Sequence, residues 1–246
     1  MKFEIIKKEN PVLFKIIENS LKNSKVSHSY LLTSDKYQNI DNEALFIIGS
    51  IISGDVNNPV DPRKYSDYHF IDGSYGLKKD DVVNAIQELS RSALDDRGYK
   101  FLHIKNIENA FGDSATNSIL KFIEEPPQNT YIIMSSNNSQ KVLSTIKSRS
   151  QRIKIYPTDI KVLNMDIKKQ GISSLDSLVI AHLVCSIDEL NSFDLGLYKT
   201  LSKKVSSAFK KALENKKYLS LTLKKIVTKS NYLLLFRLMT IYINDI

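Results

Sequence analysis

The stretch from Asp113 to Arg152 leaves a folding chain little choice, because helix, Pro-Pro stop, strand, helix and the start of another strand follow one another without a spare residue. Asp113 is placed to cap a helix whose apolar positions Ala115, Ile119, Phe122 and Ile123 recur at i, i+4, i+7 and i+8, one face of a 3.6-residue period. Pro126 and Pro127 have no amide hydrogen to give and end it. Thr130 to Met134 is a short continuous apolar run rich in aromatic and β-branched residues, the pattern of a strand covered on both faces in a parallel sheet. A short helix over Ser139 to Lys147 is expected next. It brings Arg149 to the point at which the chain leaves helix for a strand over Arg152 to Tyr156.

The residues before this stretch repeat the same alternation. Asn10-Pro11 reads as a cap and a first-turn proline, followed by the apolar stripe Val12, Leu13, Ile16, Ile17 and Leu21. His28 to Thr33 is the first buried strand, Asn42 to Ser53 a helix, and the Gly/Pro/Asn-rich segment 54–67 a connection. Tyr68 to Ile71 and Lys100 to Lys105 are two more strands, with a helix over Lys79 to Ala93 between them. Strands alternating with helices through residue 156 imply a parallel five-stranded sheet with helices on both faces. After Pro157 the pattern becomes purely helical: Asp159 to Lys169 ending at Gly171, Leu175 to Leu190, the stripe Leu197, Leu201, Val205, Ala208, Phe209, Ala212 and Leu213, then Leu219 to Val227 and Tyr232 to Ile243.

Composition excludes several classes. With 42% apolar residues the 246-residue chain has ample material for cores. No apolar run reaches the roughly 18 residues of a membrane span, since Arg237 interrupts Tyr232 to Ile243. The first ten residues lack the apolar core of a secretory signal, and the single cysteine, Cys185, rules out a disulfide framework, so a reducing cytoplasm is expected. Formal net charge is +8, and the excess lies in residues 199–229, which hold ten Lys and one Glu. That stretch reads either as a solvated helix face or as a surface for DNA or an acidic partner.

Residues 117–153, NSILKFIEEPPQNTYIIMSSNNSQKVLSTIKSRSQRI, resemble the segment of bacterial clamp-loader subunits of the AAA+ class in which a LLKxLEEPP helix end, a sensor strand and an SRC motif follow in order. Ser150 stands where the family usually has cysteine, and the arginine, Arg149, is kept. The resemblance implies an AAA+ core over 1–157, a small helical lid over 158–192 and a C-terminal helical collar for oligomerisation over 193–246. In ATP-binding members the first strand leads into a glycine-rich loop with a Lys-Thr pair for phosphate and Mg²⁺. Here the loop is Ser34-Asp35-Lys36-Tyr37-Gln38-Asn39-Ile40-Asp41-Asn42, with no glycine and with Asp35 and Asp41 to repel a triphosphate. Counting back from Lys121 by the family's spacing, the acidic Walker B pair falls on Asn106 and Ile107, and Glu108 is one residue out of register. Ser135 and Ser136 occupy the position of the sensor-1 polar residue. Many relatives carry four zinc-binding cysteines near residues 54–67, which contain none, so no metal is expected.

The implied protein is a pseudo-ATPase without a cofactor of its own, the stator of a pentameric sliding-clamp loader. It would offer Arg149, flanked by Ser148 and Ser150, as an arginine finger to ATP bound in a neighbouring motor subunit. Its expected partners are the gamma/tau motor and delta subunits, with the sliding clamp and primed DNA reached through the assembly. Two other readings stay open, an ATP-hydrolysing motor subunit and a DNA-binding module on the same fold. Glu124 and Glu125 look like a catalytic carboxylate pair, but neighbours on a helix point about 100° apart. They read as a helix end. His69 and His103 read as strand histidines rather than metal ligands.

Overall fold

A computed structural model describes residues 4–34, 39–110, 113–214 and 217–244. The chain divides into two compact units, Met1–Pro157 and Thr158–Ile246.

The first unit contains the strands β1 (Ser29–Thr33), β2 (Tyr68–Asp72), β3 (Lys100–Lys105), β4 (Thr130–Ser136) and β5 (Gln151–Lys154). With them are the helices α1 (Glu4–Glu9), α2 (Pro11–Lys22), α3 (Asp41–Ser53), α4 (Lys79–Leu89), α5 (Asp113–Glu124) and α6 (Ser144–Arg149). The strands form one parallel sheet in the order β2-β3-β4-β1-β5. Because side chains alternate across a strand, a continuous apolar run feeds two cores at once. Tyr30, Leu32, Phe101 and Ile133 pack with α2 and α3 through Leu13, Ile17, Phe46 and Ile47, whereas Leu31, Leu102, Ile132 and Met134 pack with Val82 and Leu89 of α4, Ile119 and Phe122 of α5 and Ile146 of α6. Each central strand is thus locked from both sides. Truncating Phe46, which is fully buried, to alanine would cost about 3 to 5 kcal/mol.

Helix α3 is buried along nearly its whole length, and the following connection crosses it closely. A Cβ on Gly49 would meet the Val60 carbonyl oxygen at 2.2 Å, so this crossing requires glycine.

Several boundaries differ from the sequence expectation. Asn10 does not cap α2 with its side chain; its amide donates to Glu43 Oε1 at 3.0 Å, while Pro11 opens the helix as expected. Helix α4 stops at Leu89 rather than Ala93, because the amides of Leu94 and Asp95 turn to the Asp67 carboxylate, each 2.9 Å from Oδ2. Helix α6 starts at Ser144 rather than Ser139, since the Asn138 and Lys141 amides are taken by the Ser136 hydroxyl and the Asn138 side chain in local turns that compete with helix. Arg149 is consequently the last residue of α6. β4 extends two residues beyond Met134, enclosing Ser135 and Ser136, and β5 runs from Gln151 rather than from Arg152 to Tyr156.

The second unit is helical: α7 (Ile160–Lys169), α8 (Ser174–Leu183), α9 (Ile187–Asn191), α10 (Leu195–Glu214), α11 (Lys217–Ile226) and α12 (Tyr232–Asn244). The single helix expected over Leu175 to Leu190 is two, because Val184 adopts an extended conformation and the Cys185 amide donates to Glu189 Oε2 at 2.8 Å. One core holds Leu163, Ile180, Tyr198, Leu201, Val205 and Leu235 together. Arg237, the charge that interrupts the apolar run of α12, donates to the Leu183 carbonyl at 2.7 Å, satisfying an end of α8.

Candidate functional site

Arg149 is held by both helices of the motif that surrounds it. Its Nε lies 2.6 Å from Glu124 Oε1 at the end of α5, and its Nη1 reaches the Thr145 carbonyl at 3.2 Å and Ser148 Oγ at 3.4 Å. Nη2 has no partner among the described residues. The side chain is 38% exposed, so the guanidinium is partly held by the protein and partly open to solvent. Ser148 Oγ donates to the Thr145 carbonyl at 3.0 Å and thereby tightens the last turn. Ser150 serves the fold rather than the arginine, with its hydroxyl 2.9 Å from that of fully buried Ser29 on β1. His28 Nε2 lies 3.1 Å from the Ile123 carbonyl and fastens the same end of α5 to β1. The pairing of Glu124 with Arg149 was not legible in the sequence, where Glu124 read only as a helix end; the two are 25 residues apart and meet through tertiary packing.

The register fixes where this cluster lies. Tyr30 of β1 faces Gln151 of β5, so Ser150 and Arg149 belong to the edge of the sheet at which the strands begin. The opposite edge, where strands end, is where open α/β sheets bind nucleotides. About 13 Å of strand, four residue steps from Ser29 to Thr33, separates the two.

At that opposite edge stand the residues on which nucleotide chemistry would depend. Asp35, Lys36, Tyr37 and Gln38 of the expected loop lie outside the described residues. Asp41 is the first residue of α3, and its Oδ2 accepts from Lys105 Nζ at 2.7 Å, so a carboxylate and its ammonium partner occupy the positive end of the helix dipole where a phosphate would sit. Asn106 follows β3 with a left-handed backbone at φ 52°, and Ile107 is buried. Neither can hold Mg²⁺ through a carboxylate. Glu108, expected out of register, accepts the Asn137 backbone amide at 3.0 Å on Oε1, and Asn137 Nδ2 is 3.5 Å from Asn106 Oδ1. Ser135 and Ser136, read as sensor-1 positions, are buried in β4, and the Ser136 hydroxyl accepts the Asn138 amide. Asn137 is the polar residue that meets the end of β3, a role that the position of the strand end alone reveals.

Beneath this corner His103 is buried, its Nδ1 2.9 Å from the Tyr68 hydroxyl. Burial holds its pKa at about 3, with the Lys105 charge acting in the same direction, so the imidazole is neutral. His69 pairs instead with Glu88 at 3.1 Å. Among the described residues no group of three or more His, Cys, Asp or Glu is placed to hold a metal ion, and no helix is long and apolar enough to cross a membrane.

A family described as "DNA polymerase III, delta subunit" matches residues 9–159. DNA polymerase III subunit delta' of Bacillus subtilis is 25% identical over 191 residues, which cover 73% of this chain and 57% of that protein. The chain thus spans little more than half the length of that relative. A DNA polymerase III gamma subunit-related protein from Thermotoga maritima superposes with a TM-score of 0.56 over 95% of this chain and 85% of its own, at 17% identity. RuvB from the same organism gives 0.52 over 91% and 69%, at 16% identity. At such identities the likeness is one of fold.

Proposed function

The chain belongs to the DNA polymerase III delta-subunit family, and from that premise we propose that it is a delta prime, the catalytically silent stator of a sliding-clamp loader, lending Arg149 to ATP held by a neighbouring subunit. The observation that carries this reading is the separation of Arg149 from the chain's own strand-end corner. An arginine on the edge where strands begin cannot reach a nucleotide at the edge where they end, so its half-exposed guanidinium is aimed at another molecule. A finger of this kind stabilises charge developing on a transferred phosphoryl group and is worth roughly 10³ to 10⁵ in rate in well-studied GTPases. Glu124 and Ser148 set the direction of the fork, and the outward Nη2 is the atom offered.

The silence of the chain's own corner is supported by the Asp41–Lys105 pair across the start of α3 and by Asn106 and Ile107 where an acidic pair would be needed. In this reading residues 158–192 serve as the lid and 193–246 as the collar. The half-exposed Leu233 and Phe236 and the exposed Ile243 on α12 give the collar apolar surface for neighbouring subunits. The partners are the gamma/tau motor and delta subunits, and the sliding clamp and primed DNA are met through the assembled ring.

Reconstitution tests this directly. A loader assembled with the Arg149→Ala chain should form to the same extent as wild type and load clamps more slowly, with total ATP hydrolysis falling only in part because a ring with several ATP sites loses the finger at one. Equal loading rates at equal assembly would overturn the role assigned to Arg149, and failure of the chain to co-purify with motor and delta subunits would overturn the membership of the ring.

A further inference from the structure

The second unit carries a basic surface that the finger mechanism does not use. Helix α10 buries Tyr198, Leu201, Val205 and Ala208, and turns Lys199, Lys203, Lys204, Lys210 and Lys211 to solvent. Beside it opens a recess of about 590 Å³ lined by Lys203, Ser206, Ser207, Lys210, Lys211 and Tyr242. Among the described residues the lining includes no carboxylate, and no described carboxylate pairs with these three lysines.

Lys22 is balanced within its own helix by Glu18, and Lys169 by Asp166. Helix α10 does the reverse. Lys199 and Lys203 stand four residues apart, a spacing at which like charges repel along a helix. A bound polyanion would relieve this repulsion.

We propose that this face of α10 binds the phosphate backbone of DNA, independently of Arg149. Three features favour nucleic acid over an acidic protein. The recess alternates ammonium groups with the hydroxyls of Ser206, Ser207 and Tyr242, the two side-chain types that contact phosphate oxygens. Lys203 and Lys210 are seven residues apart, about 10.5 Å along the helix axis, so the two ammonium groups can meet different phosphates of one backbone. Protein interfaces are depleted of lysine and rely on buried apolar or aromatic anchors, and among the described residues Tyr242 is the sole aromatic in the lining, already stacked on Phe209 at a centroid distance of 5.8 Å.

The test is the salt dependence of binding of a short labelled DNA duplex to the isolated full chain, between about 50 and 200 mM salt. The triple variant Lys203→Gln/Lys210→Gln/Lys211→Gln should lose affinity on the order of ten-fold or more at low salt, and the slope of log K against log salt should shrink by about 2 to 3, the counterions of three lost phosphate contacts. A control triple, Lys64→Gln/Lys78→Gln/Lys141→Gln, changes net charge equally on exposed lysines of the other unit and should leave the slope unchanged. Far-ultraviolet circular dichroism of both triples should match wild type, since all six positions are exposed. Equal losses in the two triples would overturn the site in favour of a diffuse charge effect. Competition by polyglutamate as strong as that by DNA of equal charge would overturn the choice of nucleic acid and assign the face to an acidic protein. Because no ATP, motor subunit or Arg149 enters this measurement, its failure leaves the finger untouched, and failure of the finger leaves it standing.

Discussion

Glu124 Oε1 lies 2.6 Å from Arg149 Nε, joining the last residue of α5 to the last residue of α6. Both side chains are substantially exposed, 48% and 38%, and an exposed pair of this kind contributes at most about 1 kcal/mol to stability. In the proposed mechanism its effect is on the direction of the guanidinium. Glu124→Ala is therefore expected to leave the melting temperature nearly unchanged and to slow clamp loading by a reconstituted ring less than Arg149→Ala does. A Glu124→Ala loader as fast as wild type would show that the arginine needs no tether.

Arg149→Lys is expected to resemble Arg149→Ala in clamp loading. A lysine keeps the charge but not the planar fork, and it cannot be held on one edge by Glu124 while presenting another. Removing the side chain, and with it the exposed pair to Glu124, should change stability by no more than about 1 kcal/mol, which urea unfolding of the isolated chain would measure. Loading by the lysine variant at the wild-type rate would reduce the requirement to charge alone.

The isolated chain is expected to bind no Mg-ATP, because the Asp41–Lys105 pair fills the start of α3 and Asn106 and Ile107 supply no carboxylate. A dissociation constant in the micromolar range by calorimetric titration would contradict this. Lys105→Met should destabilise the fold by about 1 to 3 kcal/mol, since it strands a carboxylate whose Oδ1 is already buried without a hydrogen-bond partner among the described residues.

His103 gives the fold a pH dependence of known sign. Its pKa is about 3 in the folded chain against an ordinary 6.5, so between those values the unfolded chain holds the extra proton. The stabilisation is complete above about pH 6.5 and is lost as pH falls toward 3, at up to about 1.4 kcal/mol per pH unit. His103→Asn should flatten the stability profile between pH 6.5 and 4 by about one proton, while losing stability at pH 8 because the Tyr68 contact is altered. An unchanged slope in urea titrations across that range would assign the dependence to other groups.

The sequence by itself determined the parallel sheet and its two cores, because runs such as Leu31-Leu32 and Ile132-Ile133-Met134 leave no polar face and can be satisfied only between two helical layers. It also determined that Arg149 falls at a helix end and that Asn106 and Ile107 carry no carboxylate, since both are facts of residue type and spacing. Helix limits were less legible at Leu89, Ser144 and Val184, where side chains distant in sequence or local turns take the amides that a continued helix would have used. The contacts around Arg149 and at the strand ends came from the tertiary structure alone. Glu124 with Arg149, Ser29 with Ser150, Asp41 with Lys105 and Glu108 with Asn137 are separated by 25, 121, 64 and 29 residues. A hydrogen bond between such positions leaves no periodicity in the chain, and it exists only once hydrophobic packing has fixed the strand register and brought helix ends together.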